Sequence, residues 1–181
     1  KLIDFVLIGG WATYLYTKTL KSKDIDIITD FDQLPILGDR YELHKNDRLK
    51  KYEAVKGPVQ IDVYLPHYSE LGIPVETLQK HTRSREGFTV LDPDWLLALK
   101  LFVLSQRGRS AKGEKDFIDS IALLHTKVAE LPVGSRILKE HNKEGVLSIF
   151  HTLLTEHRSM PELGISAHAF AQLKRMIGES L

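Results

Sequence analysis

The segment Asp92-Pro93-Asp94-Trp95-Leu96-Leu97-Ala98-Leu99-Lys100-Leu101-Phe102-Val103-Leu104 constrains the fold more than any other part of the chain. An acid followed by proline starts a helix: the carboxylate caps free backbone N–H groups, and proline suits the first helical position. From Pro93 to about Gln106 the helix is apolar nearly all round. Such a helix is stable in water only when other elements surround it, so it is expected at the centre of the fold. Lys100 is the one charge between Leu96 and Leu104. A lysine is almost never buried unpaired, so it must snorkel to water or meet an anion. That anion is either an acid of the chain, Asp116 or Asp119, or an anionic ligand.

The sequence changes character at this helix. Upstream, Asp4–Ile8 reads as a buried strand running into Gly9-Gly10, and a helix is predicted from Trp11 to Leu20. Strands follow at Asp24–Ile28, Lys50–Lys56 and Gln60–Leu65, the last two separated by the turn signal Gly57-Pro58, with a short strand at Gly87–Leu91. A short helix or irregular stretch is expected near Gln33–Leu37. Downstream, helices are predicted at Glu114–Lys127, Gly134–His141, Glu144–His157 and Ala167–Ile177. The fold class is therefore α+β: an α+β core over residues 1–91, then a helical region over residues 92–181. The sequence given opens almost directly on apolar Phe5-Val6-Leu7-Ile8, which makes a helix upstream of it an expectation.

Composition narrows the function classes. With 181 residues, 43% hydrophobic and 27% charged, the chain suits a globular domain with a real core. No apolar run approaches the roughly 20 residues of a bilayer span, and no basic-then-apolar leader opens the sequence. Cysteine is absent, which excludes disulfides, thiolate metal sites and a cysteine nucleophile, and fits a cytoplasmic setting. The net charge of +1 gives no global attraction to nucleic acid, although basic clusters occur at Arg48–Lys51, Lys80–Arg85 and Arg107–Lys115.

The acids carry the chemistry. Strand side chains alternate, so Asp24 and Asp26 share a face while Ile25 and Ile27 point into the core. Asp62, between Ile61 and Val63, has the same setting. Neighbouring carboxylates repel unless solvent, a cation or basic side chains neutralise them, and a group of three would form an all-oxygen site suited to Mg²⁺ or Mn²⁺. The solvent face of a one-sided sheet can also carry Asp-x-Asp. Asp116 and Asp119 share a helix face, and the spacings Lys112–Asp116 and Lys115–Asp119 equally describe a solvated, salt-bridged surface. Gly9-Gly10 stands between a strand and a helix, where backbone N–H groups can meet a phosphate.

The order strand, Gly9-Gly10-Trp11-Ala12, helix, Ser22-Lys23-Asp24-Ile25-Asp26, strand, then a later strand with Asp62, resembles the nucleotidyltransferase superfamily that includes DNA polymerase beta. With Leu97-Ala98-Leu99-Lys100 and Lys115-Asp116-Phe117-Ile118-Asp119 added, it is most similar to the abortive-infection and type IV toxin-antitoxin toxins. The resemblance covers about Phe5 to Leu124. It implies a mixed sheet with flanking helices and transfer of a nucleoside monophosphate from an NTP to an acceptor hydroxyl, with tRNA ends or protein side chains the favoured acceptors. Asp24, Asp26 and Asp62 would be the catalytic and metal-binding carboxylates, the third helping to deprotonate the acceptor. Gly9, Gly10, Ser22, Lys23, Lys100, Lys115, Asp116 and Asp119 would serve the nucleotide, and an antitoxin would be a partner. Many relatives carry Gly-Ser at the turn, a hydroxyl that Gly10 lacks. The alternatives are a non-catalytic binding module of this fold and an antibiotic-modifying nucleotidyltransferase.

Other signals fail. Gly108-Arg109-Ser110-Ala111-Lys112-Gly113-Glu114 has the glycine spacing of a P-loop, but Glu114 stands where the lysine is required. There is no Gly-x-Gly-x-x-Gly and no His-Glu-x-x-His.

Overall fold

Three consecutive buried apolar residues, Val6–Ile8, form strand β1 in the computed structural model, which describes residues 3–179 and, of Glu144, the backbone alone. A strand buried on both faces belongs inside a sheet. β1 lies between β2 (Ile25–Ile28), antiparallel to it, and β7 (Phe88–Leu91), parallel to it. Beyond β2 come β5 (Val59–Tyr64), β4 (Lys51–Lys56) and β3 (Glu42–Asn46), and beyond β7 comes β6 (Thr82–Arg85). The seven-stranded sheet is mixed, since β2 and β5 are also parallel while β3–β4, β4–β5 and β6–β7 are antiparallel. With eight α-helices among the described residues, the chain has the α+β fold its sequence predicts.

Two strands escape the sequence reading, and both are edges. Every residue of β3 and β6 keeps some exposure to solvent. An edge strand with no buried face needs no apolar alternation, so its sequence carries no period to detect.

The helices position the site. α1 (Gly9–Thr17) begins where β1 ends and stops at Lys18, which is in the left-handed conformation. Short α2 (Leu34–Gly38) and α3 (Val75–Leu78) lie in the connections between strands. α4 (Pro93–Arg107) is capped as expected, the Asp92 side chain accepting from the Asp94 N–H. Its residues Leu96, Leu97, Ala98 and Leu101 have no exposure, and it packs on α1, α5 (Ala111–His125), α6 (Leu131–Glu140) and α7 (Leu147–Glu156). The central position inferred from its apolar surface is thus observed. α8 (Ala167–Glu179) adds Phe170, Leu173 and Ile177 to the core.

α5 starts three residues earlier than predicted, because Ser110 caps it by accepting from the Gly113 N–H. Gly113 suits that turn for a steric reason: a Cβ there would lie 2.0 Å from the Gly108 carbonyl oxygen. One apolar cluster includes Ile8, Leu97 and Phe117, so residues on either side of Leu91 share a core. No helix among the described residues is long and apolar enough to cross a membrane.

Candidate functional site

The junction of β1 and α1 is tight, and both glycines are needed for contact with the Asp-rich segment. Gly9 has φ +66°, and a Cβ on it would lie 2.2 Å from Asp26 Oδ2. A Cβ on Gly10 would lie 2.7 Å from Ser22 Cβ and 2.9 Å from Ser22 Oγ. The Ser22 hydroxyl therefore stands over the turn. Lys115 Nζ, from α5, donates to it at 2.7 Å.

Strand register then lines up a row of acids. Asp26 on β2 is opposite Asp62 on β5, which is opposite Glu53 on β4. Like charges facing each other across strands are destabilising. Lys51 offsets two of them: its ammonium is 2.5 Å from Asp62 Oδ2 and 3.1 Å from Glu53 Oε1, while Gln60 Nε2 donates to Asp62 Oδ1 at 3.2 Å. Burial pulls the Lys51 pKa down, but the hydrogen bond and charge of Asp62, with those of Glu53, outweigh it and the net shift is upward. Glu53 is held below its usual range by the Lys51 and Asn46 hydrogen bonds.

Asp26 has no such partner. Burial pushes its pKa up to about 6, with Asp62 adding to the rise and the Lys100 charge opposing it. The Tyr64 phenol nearby is also pushed up, by burial first and then by Asp26 and Asp62. Asp24 differs from the sequence expectation in one respect. β2 begins at Ile25, where pairing with Ile61 starts, so Asp24 lies in the bend ahead of the strand rather than on it. It still lines the same cleft as Asp26.

Helices α4 and α5 close the other side. Lys100 Nζ is 2.9 Å from Asp116 Oδ1 and 2.7 Å from Asp119 Oδ2, and Arg107 Nη1 is 2.6 Å from Asp116 Oδ2. Burial would lower the Lys100 pKa, but Asp119 and Asp116 reverse the effect and hold it above its usual value. Asp119 is almost fully buried and meets Lys100 as a close ion pair. Burial raises the Asp119 pKa, with Lys100 opposing. Of the two anions considered for Lys100, the internal acids are the ones it meets, although it also lines the cleft.

The cleft has a volume of about 450 Å³. Six cationic side chains (Lys21, Lys23, Lys100, Arg107, Lys112 and Lys115) line it against four carboxylates, Asp24, Asp26, Asp62 and Asp116. Gly10 and Ser22 also line it, Gly9 lines a small adjoining recess with Asp26 and Lys100, and Asp119 sits behind Lys100. The residues singled out in the sequence are thus brought together. Lys51, Glu53 and Arg107 were missed. Lys51 and Glu53 belong to the site through cross-strand register, and Arg107 reaches it only because α5 folds back on α4.

The fold has relatives among solved structures. JHP933 from Helicobacter pylori is similar with a TM-score of 0.51 at 14% identity, covering 98% of this chain and 84% of that one. An antigenic nucleotidyltransferase-like protein from Paracoccidioides brasiliensis gives a TM-score of 0.46 at 18% identity, over 82% of this chain and 84% of the other. At such identities the likeness is one of fold. No family model and no curated protein matches the sequence.

The donor set bears on metal binding. Among the described residues no group of three or more His, Asp or Glu side chains converges as a ready cage. Both Asp62 oxygens are engaged, which leaves Asp24 and Asp26 as the carboxylates of the Asp-x-Asp segment facing the cleft without a cationic hydrogen-bond partner among the contacts above. Two carboxylates fit Mg²⁺, which is commonly held by one or two acids while substrate phosphates and water complete its shell.

Proposed function

We propose that the cleft binds an NTP and transfers its nucleoside monophosphate to an acceptor hydroxyl, releasing pyrophosphate. The observation that carries this reading is the placement of Asp26 against Gly9, with Asp24 lining the same cleft, whose lining is otherwise net cationic. A triphosphate needs that combination. Its negative oxygens meet Lys23, Lys115 and Arg107, backbone N–H groups at the start of α1 take a phosphate oxygen, and Ser22 offers a hydroxyl beside them.

Mg²⁺ or Mn²⁺ held by Asp24 and Asp26 would supply charge neutralisation on the phosphate oxygens. The chain's own groups do the rest. The acceptor oxygen attacks the α-phosphorus, the bond from that phosphorus to the bridging oxygen breaks, and pyrophosphate leaves toward the basic side of the cleft. Asp62, held in place by Lys51 and Gln60, takes the proton of the attacking hydroxyl. Lys100, fixed by Asp116 and Asp119, presents a positive charge at the cleft wall without being free to wander. The resemblance in sequence favours an RNA 3′ end or a protein side chain as acceptor, and a toxin role.

Incubation with each α-labelled NTP, Mg²⁺ and total cellular RNA or protein tests the reading. Label transferred to one class of acceptor, and abolished by EDTA, is expected. No transfer to any acceptor and no pyrophosphate would leave a binding module of this fold as the better account.

A further inference from the structure

We propose that Lys51 is a resident cation of the site: it occupies Asp62, so the cleft takes a single divalent ion, on Asp24 and Asp26. This rests on the nucleotidyl-transfer reading for the presence of an ion at all. Lys51 and Asp62 are only 7% and 8% exposed, and the pair lies on the acid-bearing face of adjacent strands. A buried lysine persists only where anions hold it, and Lys51 has two, Asp62 Oδ2 and Glu53 Oε1. The second Asp62 oxygen takes the Gln60 amide.

An ion shared between Asp26 and Asp62 would sit beside this ammonium, and the two positive charges would repel. Lys51 has little room to withdraw, since its side chain is nearly enclosed. The row Asp26–Asp62–Glu53 is instead neutralised from two ends. Lys51 serves Asp62 and Glu53, and a divalent ion serves Asp26 together with Asp24. Lys100 cannot take over at Asp26, because Asp116 and Asp119 already hold it. Lys51 is thus a positioning residue. It holds the Asp62 carboxylate toward the strand it faces, and it fixes how many metal ions the site accepts.

The test counts Mn²⁺ alone per chain, by electron paramagnetic resonance and calorimetry, in the wild type and in Asp26→Asn, Asp62→Asn, Lys51→Arg and Lys51→Gln. Glutamine keeps a donor for Asp62 without the charge, and Asp62→Asn leaves Lys51 with Glu53, so at least one of these variants should fold. Expected are one ion in the wild type, binding at least ~10-fold weaker in Asp26→Asn, one ion of affinity within ~3-fold in Asp62→Asn and Lys51→Arg, and a second ion in Lys51→Gln, seen as spin–spin broadening. Two ions in the wild type, loss of the ion in Asp62→Asn, or a single unchanged ion in Lys51→Gln would each overturn the role of Lys51 while leaving nucleotidyl transfer standing. No Mn²⁺ bound by the wild type would overturn both.

Discussion

Replacing Asp26 by asparagine should stabilise the metal-free protein at neutral and higher pH. The carboxyl has a pKa near 6 in the fold against an ordinary 3.8, raised by burial and by Asp62. The folded chain therefore binds this proton more tightly than the unfolded chain does. Stability is greatest while Asp26 is protonated, falls as pH rises from about 4 through about 6, and is level above that. A shift of about 2 units at ~1.4 kcal/mol each gives an upper figure of ~3 kcal/mol. Because Asp26 keeps some contact with solvent, ~1–3 kcal/mol is the expected gain in Asp26→Asn at pH 8. For a chain of this size that corresponds to a rise in Tm of roughly 3–10 °C. Circular dichroism melts in EDTA should show this difference at pH 8 and show it closing below pH 4. Mg²⁺ should raise the Tm of the wild type and leave Asp26→Asn unmoved. An Asp26→Asn protein that melts below the wild type at pH 8 would show instead that the carboxylate makes stabilising contacts.

Two further substitutions test the supports of the site. Lys100→Met leaves Asp119 without a cation and Asp116 with Arg107 alone, so it should lose ~3–5 kcal/mol, a fall in Tm on the order of 10 °C. Adding Asp119→Asn should restore part of that loss, and a lone Lys100→Met that melts within ~2 °C of the wild type would show that the buried triad is not formed in solution. Gly9→Ala places a methyl group 2.2 Å from Asp26 Oδ2 on a backbone with φ +66°. It should cost at least ~2 kcal/mol of stability, read as a lower urea midpoint, whereas an unchanged midpoint would mean that the turn and Asp26 are not in contact.

The parts of this fold that were legible in the sequence are those where a local pattern has a local cause. The Asp92-Pro93 start and the all-round apolar surface of α4 follow from capping and burial within one segment, and both are observed. Gly9-Gly10 and the Asp-x-Asp pair were readable by type and order. Their reason was not: the glycines are small because Asp26 and Ser22 lean on them from about fifteen residues away, roughly four turns' worth of chain. Edge strands β3 and β6 bury no continuous face and left no period to find. Lys51 and Glu53 lie within the predicted strand Lys50–Lys56 with no local pattern to single them out. Only the register of β4 against β5 puts them on Asp62, and register between strands is a tertiary property. Asp116 and Asp119 had two readings in the sequence, and packing of α5 on α4 decided for burial against Lys100 over a solvated face.

Metal-dependent nucleotidyl transfer served by Asp24 and Asp26 is the activity proposed for this cleft. Its most direct test is pyrophosphate release from NTP in the presence of the acceptor, measured for the wild type, Asp24→Asn and Asp26→Asn after each has been shown to fold. The account predicts release that requires Mg²⁺ or Mn²⁺, stops in EDTA, and falls on the order of 10²-fold or more in either variant, the scale of losing a key electrostatic contact to the reacting phosphate. Undiminished release in EDTA, or a folded Asp26→Asn protein that turns over NTP as fast as the wild type, would contradict it.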